Sequence, residues 1–209
     1  MAKTNATEEK SLSRLEKALR IILVIAGVVG IVASLMITIE KFDLLQNPSA
    51  SFICDLNPVI SCGSVMESRQ ASAFGFMNTY IGLLGFPVIV TIGVAMFAGA
   101  RFRRWFWLAM VAGLGLGLVF AYWLLFESIY DINALCPYCL SVDVALTTIF
   151  WYSLLYVIEE GHLRLKGRLH SVADFARRHH LDLLLGWFIL CVVIILNHFW
   201  YYYGQHLHL

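Results

Sequence analysis

The chain has 209 residues, 60% hydrophobic and 14% charged, with a formal net charge of +1. That balance excludes an ordinary soluble domain. A near-neutral chain with no basic stripe also excludes a protein built to bind a phosphate backbone. It has no P-loop and no metal-hydrolase signature, and the string Gly113, Gly115, Gly117 lies inside an apolar run, predicting close helix packing rather than phosphate binding.

A membrane-spanning helix needs about 20 mostly apolar residues, and five stretches meet that requirement. Residues 1–17, carrying Lys3, Lys10, Arg14 and Lys17, lead into a first span near Ala18 to Ile39. That span is long and no A-x-A-type site follows it, which predicts an uncleaved anchor rather than a signal peptide. Residues 40–79 form a long loop containing Cys54 and Cys62. The second span runs near Tyr80 to Ala100, and Arg101 to Arg104 make a tight basic link to the third, Trp105 to Phe126. A short turn, Glu127 to Leu135, precedes the fourth span, Cys136 to Ile158. The basic link 159–182, with Arg164, Lys166, Arg168, Arg177 and Arg178, leads to residues 183–209, whose span ends near Tyr203.

With five spans, the N-terminal segment and the two basic links share one side, and the excess of Lys and Arg predicts that side to be cytoplasmic. Glu8, Glu9 and Glu16 count little in that rule. Trp105, Trp107 and the run Trp200 to Tyr203 fit interfacial aromatic belts. Cys54, Cys62, Cys136 and Cys139 are then all extracytoplasmic, where disulfides form and persist. Cys191 sits alone within the fifth span and reads as a small apolar filler.

Cys136-Pro137-Tyr138-Cys139 opens the fourth span. Two thiols three positions apart can close a disulfide across one helical turn, and at a helix N-terminus unpaired N–H groups favour the thiolate. Pro137 suits that first turn, where its missing N–H costs nothing. Cys54 and Cys62 flank a loop in which Asn57 and Pro58 favour turns. Three roles stay open for this pair: a static staple, half of a metal site, or a mobile shuttle. A zinc site usually takes two short knuckles, and only one of these pairs is close. A shuttle requires the loop to reach the helix mouth, because exchange proceeds through a mixed disulfide.

Cys54-Asp55, Ile60-Ser61-Cys62, Val65, Ser68-Arg69, Phe74-Gly75 and Asn78 resemble the luminal loop of vitamin K epoxide reductases. Cys136-x-x-Cys139 matches the active-site motif of that family, and the resemblance extends over roughly Ile22 to Ile158. A fifth span in place of a fused thioredoxin-like domain is similar to the actinobacterial-type members, whose expected work is disulfide formation rather than vitamin K recycling. The resemblance implies an all-α integral membrane protein: a four-helix transmembrane core over 18–158, a fifth transmembrane helix, and an extracytoplasmic cysteine loop.

The resemblance also implies an electron path. Cys54 would accept electrons from a reduced, secreted thioredoxin-fold (DsbA-like) partner, and Cys62 would pass them to Cys136 by exchange. Cys139 would face and reduce a quinone, menaquinone by family precedent, with no metal. Asn78 would donate a hydrogen bond to a quinone carbonyl, or alternatively cap the second helix. On this path the loop pair is reached from water and the Cys136/Cys139 pair from the bilayer.

One departure stands out. Vertebrate enzymes carry a Tyr four residues after the second active-site Cys, and this chain has Asp143. The i,i+4 offset places Asp143 on the face of Cys139, and it is the only acidic residue inside the five predicted spans. Acidic groups in that setting are costly and usually functional. Asp143 is therefore expected to exchange protons with the quinone or Cys139, or else to hydrogen-bond a neighbouring helix. Arg69 is expected to serve the site or to anchor the loop. Ser61 is expected to bond loop backbone or orient the exchange. Glu127 and Asp131 are expected to be solvated, and His198, His206 and His208 interfacial.

Overall fold

The computed structural model describes the backbone of residues 2–47, 52, 54–161, 163 and 168–207, and the side chains of 14–47, 52, 54–161, 163, 171–202 and 204. The side chains of Lys3, Glu8, Glu9, Lys10, Arg164, Lys166, Arg168, His206 and His208 lie outside the described residues. The elements in order are α1 (Ala2–Gln46), α2 (Cys62–Glu67), a 3₁₀ turn (Arg69–Ser72), α3 (Thr79–Phe97), α4 (Arg104–Glu127), a π-helical turn (Ser128–Ile132), α5 (Pro137–Glu159), α6 (Arg168–Arg178), α7 (His180–His198) and α8 (Trp200–Leu207). Five of the described helical segments are long and apolar enough to cross a membrane: Arg14–Gln46, Thr79–Phe97, Arg104–Ile132, Pro137–Glu159 and His180–His198. Their outward faces are apolar, with Leu84, Val88, Leu116 and Val119 all exposed. The protein is an all-α, multi-pass membrane protein.

The fifth spanning helix, His180–His198, begins and ends earlier than the expected Leu183 to Tyr203, and the second ends at Phe97 rather than Ala100. Two other spans run well past their expected ends. α1 does not stop near Ile39 but continues to Gln46, because the polar residues after the apolar run find partners: Lys41 Nζ donates to the carbonyl of Met66. Glu40, only 8% exposed, is therefore buried within a spanning helix. Asp143 is consequently not the only acidic residue there. The third span likewise runs on through the π-helical turn to Ile132.

α1 packs along α3 on one side and α5 on the other, and α4 packs on α5. The central core joins Leu19 and Leu23 of α1, Phe86 and Ile89 of α3, Trp107 of α4 and Ile149 of α5. The close approach of α1 and α3 rests on glycines other than the Gly113–Gly117 string. A Cβ on Gly93 would stand 2.9 Å from Val24 Cγ2, 3.0 Å from Leu23 Cβ and 3.3 Å from the Arg20 carbonyl oxygen. A Cβ on Gly113 would meet nothing within 4 Å, because Gly113 and Gly117 face a cavity between α3 and α4. Gly113 thus leaves room there, whereas Gly115 and Gly117 also lie close against α5, where added Cβ atoms would stand 3.4 Å from Phe150 Cε2 and 3.7 Å from Leu146 Cδ2.

α7 has no fully buried residue and is attached at three places. At one end Trp151 Nε1 donates to the His180 carbonyl at 3.0 Å, and Tyr152 Oη lies 3.2 Å from His180 Nδ1. Midway, Trp187 Nε1 donates to Tyr122 Oη, which is 2.9 Å from Thr147 Oγ1. At the far end Phe199, fully buried, packs with Val59, Ile129 and Leu135. The fifth spanning helix thus ends under the cysteine loop.

Gly93→Ala should lower the thermal midpoint in detergent. Overpacking costs about 1–3 kcal/mol and outweighs the roughly 1 kcal/mol that Ala gains over Gly in a helix. Gly113→Ala should leave the midpoint unchanged or raise it. A Gly93→Ala midpoint at or above that of Gly113→Ala would show that the α1–α3 contact is not sterically limiting.

Candidate functional site

The cysteine loop is shaped by its own polar groups. Asn57 Oδ1 accepts from the N–H groups of Val59 at 2.9 Å and Ile60 at 2.8 Å, an Asx turn that directs the chain back. Leu56 N–H donates to the Ile60 carbonyl at 3.0 Å, and Gly63 N–H to Asp55 Oδ1 at 3.1 Å. The returning strand-like segment then pairs with the residues just before α5. Leu135 N–H donates to the Val59 carbonyl at 2.7 Å, and Ser61 N–H to the Leu135 carbonyl at 3.1 Å, forming a one-residue parallel bridge of Ile60 with Leu135. Ser61 next caps α2, its Oγ accepting from Ser64 N–H at 3.2 Å, so of its two expected roles it takes the backbone one.

Chain direction after the bridge places Cys62 and Cys136 side by side. Cys62 begins α2 and is disulfide-bonded to Cys54, with Cα atoms 5.8 Å apart. Cys136 is the extended N-cap residue of α5, with Pro137 in the first turn and Cys139 one turn in. Cys136 and Cys139 are free thiols, and Cys136 Sγ lies 3.3 Å from Cys62 Sγ. The sulfurs occupy an apolar cluster with Ile37, Leu44, Met66 and Tyr138. Cys54 and Cys62 are themselves buried, contrary to the expectation that the loop pair is reached from water. An incoming thiol needs part of the loop to move.

The Cys136 thiol is held below the ordinary thiol range. A hydrogen bond from Cys139 contributes most, burial opposes it, and the N–H groups of Cys139 and Tyr138 at the start of α5 add to the lowering. Cys136 thus holds more thiolate than an ordinary thiol and leaves readily in exchange, and it faces a disulfide sulfur. Ligand atoms of Glu40, Cys54 and Cys62 also lie within 4.8 Å of one another. Sulfurs joined in a disulfide are not the thiolates that bind metal, so the cluster does not suit an ion in this oxidation state.

Cys139 and Asp143 lie on the wall of a cavity of about 670 Å³ between α3 and α4. Its walls are predominantly apolar, and few polar groups, among them Asn78, Ser68 and Thr79, reach it. This size and character suit a flat, lipid-soluble molecule. The loop roofs the cavity through Gln70. Its Nε2 donates to Glu127 Oε2 at 3.0 Å and Asp131 Oδ2 at 2.7 Å, and its carbonyl accepts from Asn78 Nδ2 at 2.6 Å. Glu127 and Asp131 are therefore loop anchors rather than merely solvated. Asn78 makes no capping bond. Its Oδ1 accepts from Ala73 N–H at 3.2 Å, leaving one amide hydrogen for the cavity.

Arg69 is exposed at the start of the 3₁₀ turn. His198 Nε2 is 3.0 Å from Asn133 Oδ1 in the turn before Cys136. Cys191 faces Tyr122 and is not in the cluster that holds the other four sulfurs. The sequence reading passed over Glu40, Gln70, Phe199 and the bridge at Leu135. Only Glu40 left a local trace, because Ile37 and Leu44 at i−3 and i+4 mark its side of α1 as a packed face.

The profile of the Vitamin K epoxide reductase family matches residues 21–154. Among curated proteins none matches the chain. The chain belongs to the vitamin K epoxide reductase family, and it is an oxidoreductase of a quinone-associated membrane family that uses redox cysteines and thiol partners.

With the loop disulfide intact, Cys136 alkylation followed by peptide mass spectrometry should show a pH midpoint below the ordinary thiol value of about 8.5. In Cys139→Ala that midpoint should rise, because the foremost hydrogen-bond donor is gone. A midpoint that stays or falls in the variant would contradict the assignment.

Proposed function

We propose that the protein is a quinone-linked thiol oxidase that reoxidises a secreted thioredoxin-fold partner. The observation that carries this reading is the 3.3 Å approach of Cys62 Sγ to Cys136 Sγ, with Cys139 of the same motif on the cavity wall. The basic segments favour a cytoplasmic N-terminus, with the cysteine loop and the C-terminus outside the cell membrane.

A thiolate of the reduced partner attacks Cys54, and Cys62 leaves. Cys62 attacks Cys136 of the Cys136–Cys139 disulfide, and Cys139 leaves as thiolate. The partner's second thiolate resolves its mixed disulfide and frees Cys54. Cys54 then attacks Cys62, restoring the loop disulfide and releasing Cys136. The partner is now a disulfide, and the Cys136/Cys139 dithiol holds the two electrons. Re-formation of the Cys136–Cys139 disulfide passes them, with two protons, to menaquinone in the cavity, giving the quinol. Asn78 donates its remaining amide hydrogen to a quinone carbonyl, and Asp143, one turn beyond Cys139, exchanges the proton.

Fully reduced protein in detergent, freed of reductant and mixed with menaquinone, should yield quinol by absorbance, and Cys139→Ala should yield none. Failure of the parent to form quinol with its thiols still free would overturn the reading. Asn78→Ala should raise KM for the quinone about fivefold, the value of one neutral hydrogen bond. Asp143→Asn should lower turnover by about a hundredfold, as for a lost general acid. Unchanged turnover in Asp143→Asn would remove it from the proton path.

A further inference from the structure

We propose that Glu40 is the proton acceptor and donor of Cys54, so that the loop thiol is switched between thiol and thiolate by a carboxyl on α1. The inference rests on the thiol-oxidase reading above and adds a catalytic group to it. Glu40 Oε2 lies 3.3 Å from Cys54 Sγ, and the carboxyl is buried. Its helix neighbours Ile37 and Leu44 are both in the apolar cluster that holds the four sulfurs. Burying a carboxyl there is costly unless it is bonded. A sulfur within a disulfide has no hydrogen to donate, so the contact becomes a thiol-to-carboxylate hydrogen bond only when the loop pair is reduced. The groups around it are Lys41 and Asp43 on α1, Asp55 in the loop, and Cys136 and Tyr138 at the start of α5. Lys41 is engaged with the Met66 carbonyl. Asp55 accepts from Gly63 N–H. Among the described residues, Glu40 is the carboxyl within hydrogen-bonding distance of a reacting sulfur.

The step balances within the protein. With Cys62 and Cys136 joined, the Cys54 thiol gives its proton to the Glu40 carboxylate. The Cys54 thiolate attacks Cys62 Sγ, the Cys54–Cys62 bond forms, the Cys62–Cys136 bond breaks, and Cys136 leaves with the electron pair. In the next turnover, when a new partner's mixed disulfide with Cys54 is resolved, Cys54 leaves as thiolate and takes the proton back from Glu40 before the cycle of transfer to Cys62 repeats.

Fully reduced protein holds two dithiols and should form two equivalents of quinol with excess menaquinone in stopped flow. The first comes directly from Cys136/Cys139. The second follows only after Cys54/Cys62 has reduced the re-formed Cys136–Cys139 disulfide. In Glu40→Gln the first equivalent should form at the parental rate, which also shows that the variant is folded. The second should slow about a hundredfold, the usual contribution of a positioned acid–base group. Its rate should then climb about tenfold per pH unit, as hydroxide replaces the missing base. Glu40→Asp should recover part of the rate. A second equivalent that is unchanged or faster in Glu40→Gln, or slowed without the steeper pH dependence, would overturn the role of Glu40. Absence of the first equivalent in the parent would instead overturn the thiol-oxidase reading.

Discussion

Two backbone hydrogen bonds hold the site together, those joining Leu135 to Val59 and Ser61. A parallel bridge sets neighbouring chains about 4.8 Å apart, and Cys62 and Cys136 follow it closely on the two chains. A sulfur–sulfur approach of 3.3 Å is what remains when the side chains turn toward each other. Each partner enters a helix at this point. Ser61 caps α2 and Pro137 starts α5, so neither segment drifts away from the bridge.

The surrounding elements maintain that geometry. Val59 and Leu135, the residues that exchange a bridge hydrogen bond, are buried against Ile129 and Phe199, which gives the fifth spanning helix a structural task at the site. Gln70 ties the loop's second half to Glu127 and Asp131 at the end of the α4 segment. The loop is therefore pinned both above the sulfurs and above the cavity. α3 and α4 enclose a cavity beneath it, and the missing side chains of Gly113 and Gly117 enlarge it, so an apolar molecule has room beside Cys139.

Much of this was legible in the sequence because its determinants are local. Hydropathy marks the spans, and Pro137 inside a C-x-x-C marks a helix start. The family's loop motif pairs Cys54 with Cys62. What was not legible depends on distant partners. Glu127 and Asp131 look like solvated residues until Gln70, 57 and 61 positions away, reaches them. The Gly113–Gly117 string and Gly93 look equivalent, and only the neighbouring helix shows which is crowded. Glu40 follows an apolar run and reads as the polar edge of a span. Its burial results from α1 continuing as a helix beside the loop.

The central claim is that the loop and helix cysteines meet through Cys62 and Cys136. The most direct measurement is peptide mass spectrometry on the double variant Cys54→Ala, Cys139→Ala after mild oxidation. The account predicts an intramolecular Cys62–Cys136 disulfide in nearly every molecule. Free thiols at both positions, or links only between molecules, would contradict it.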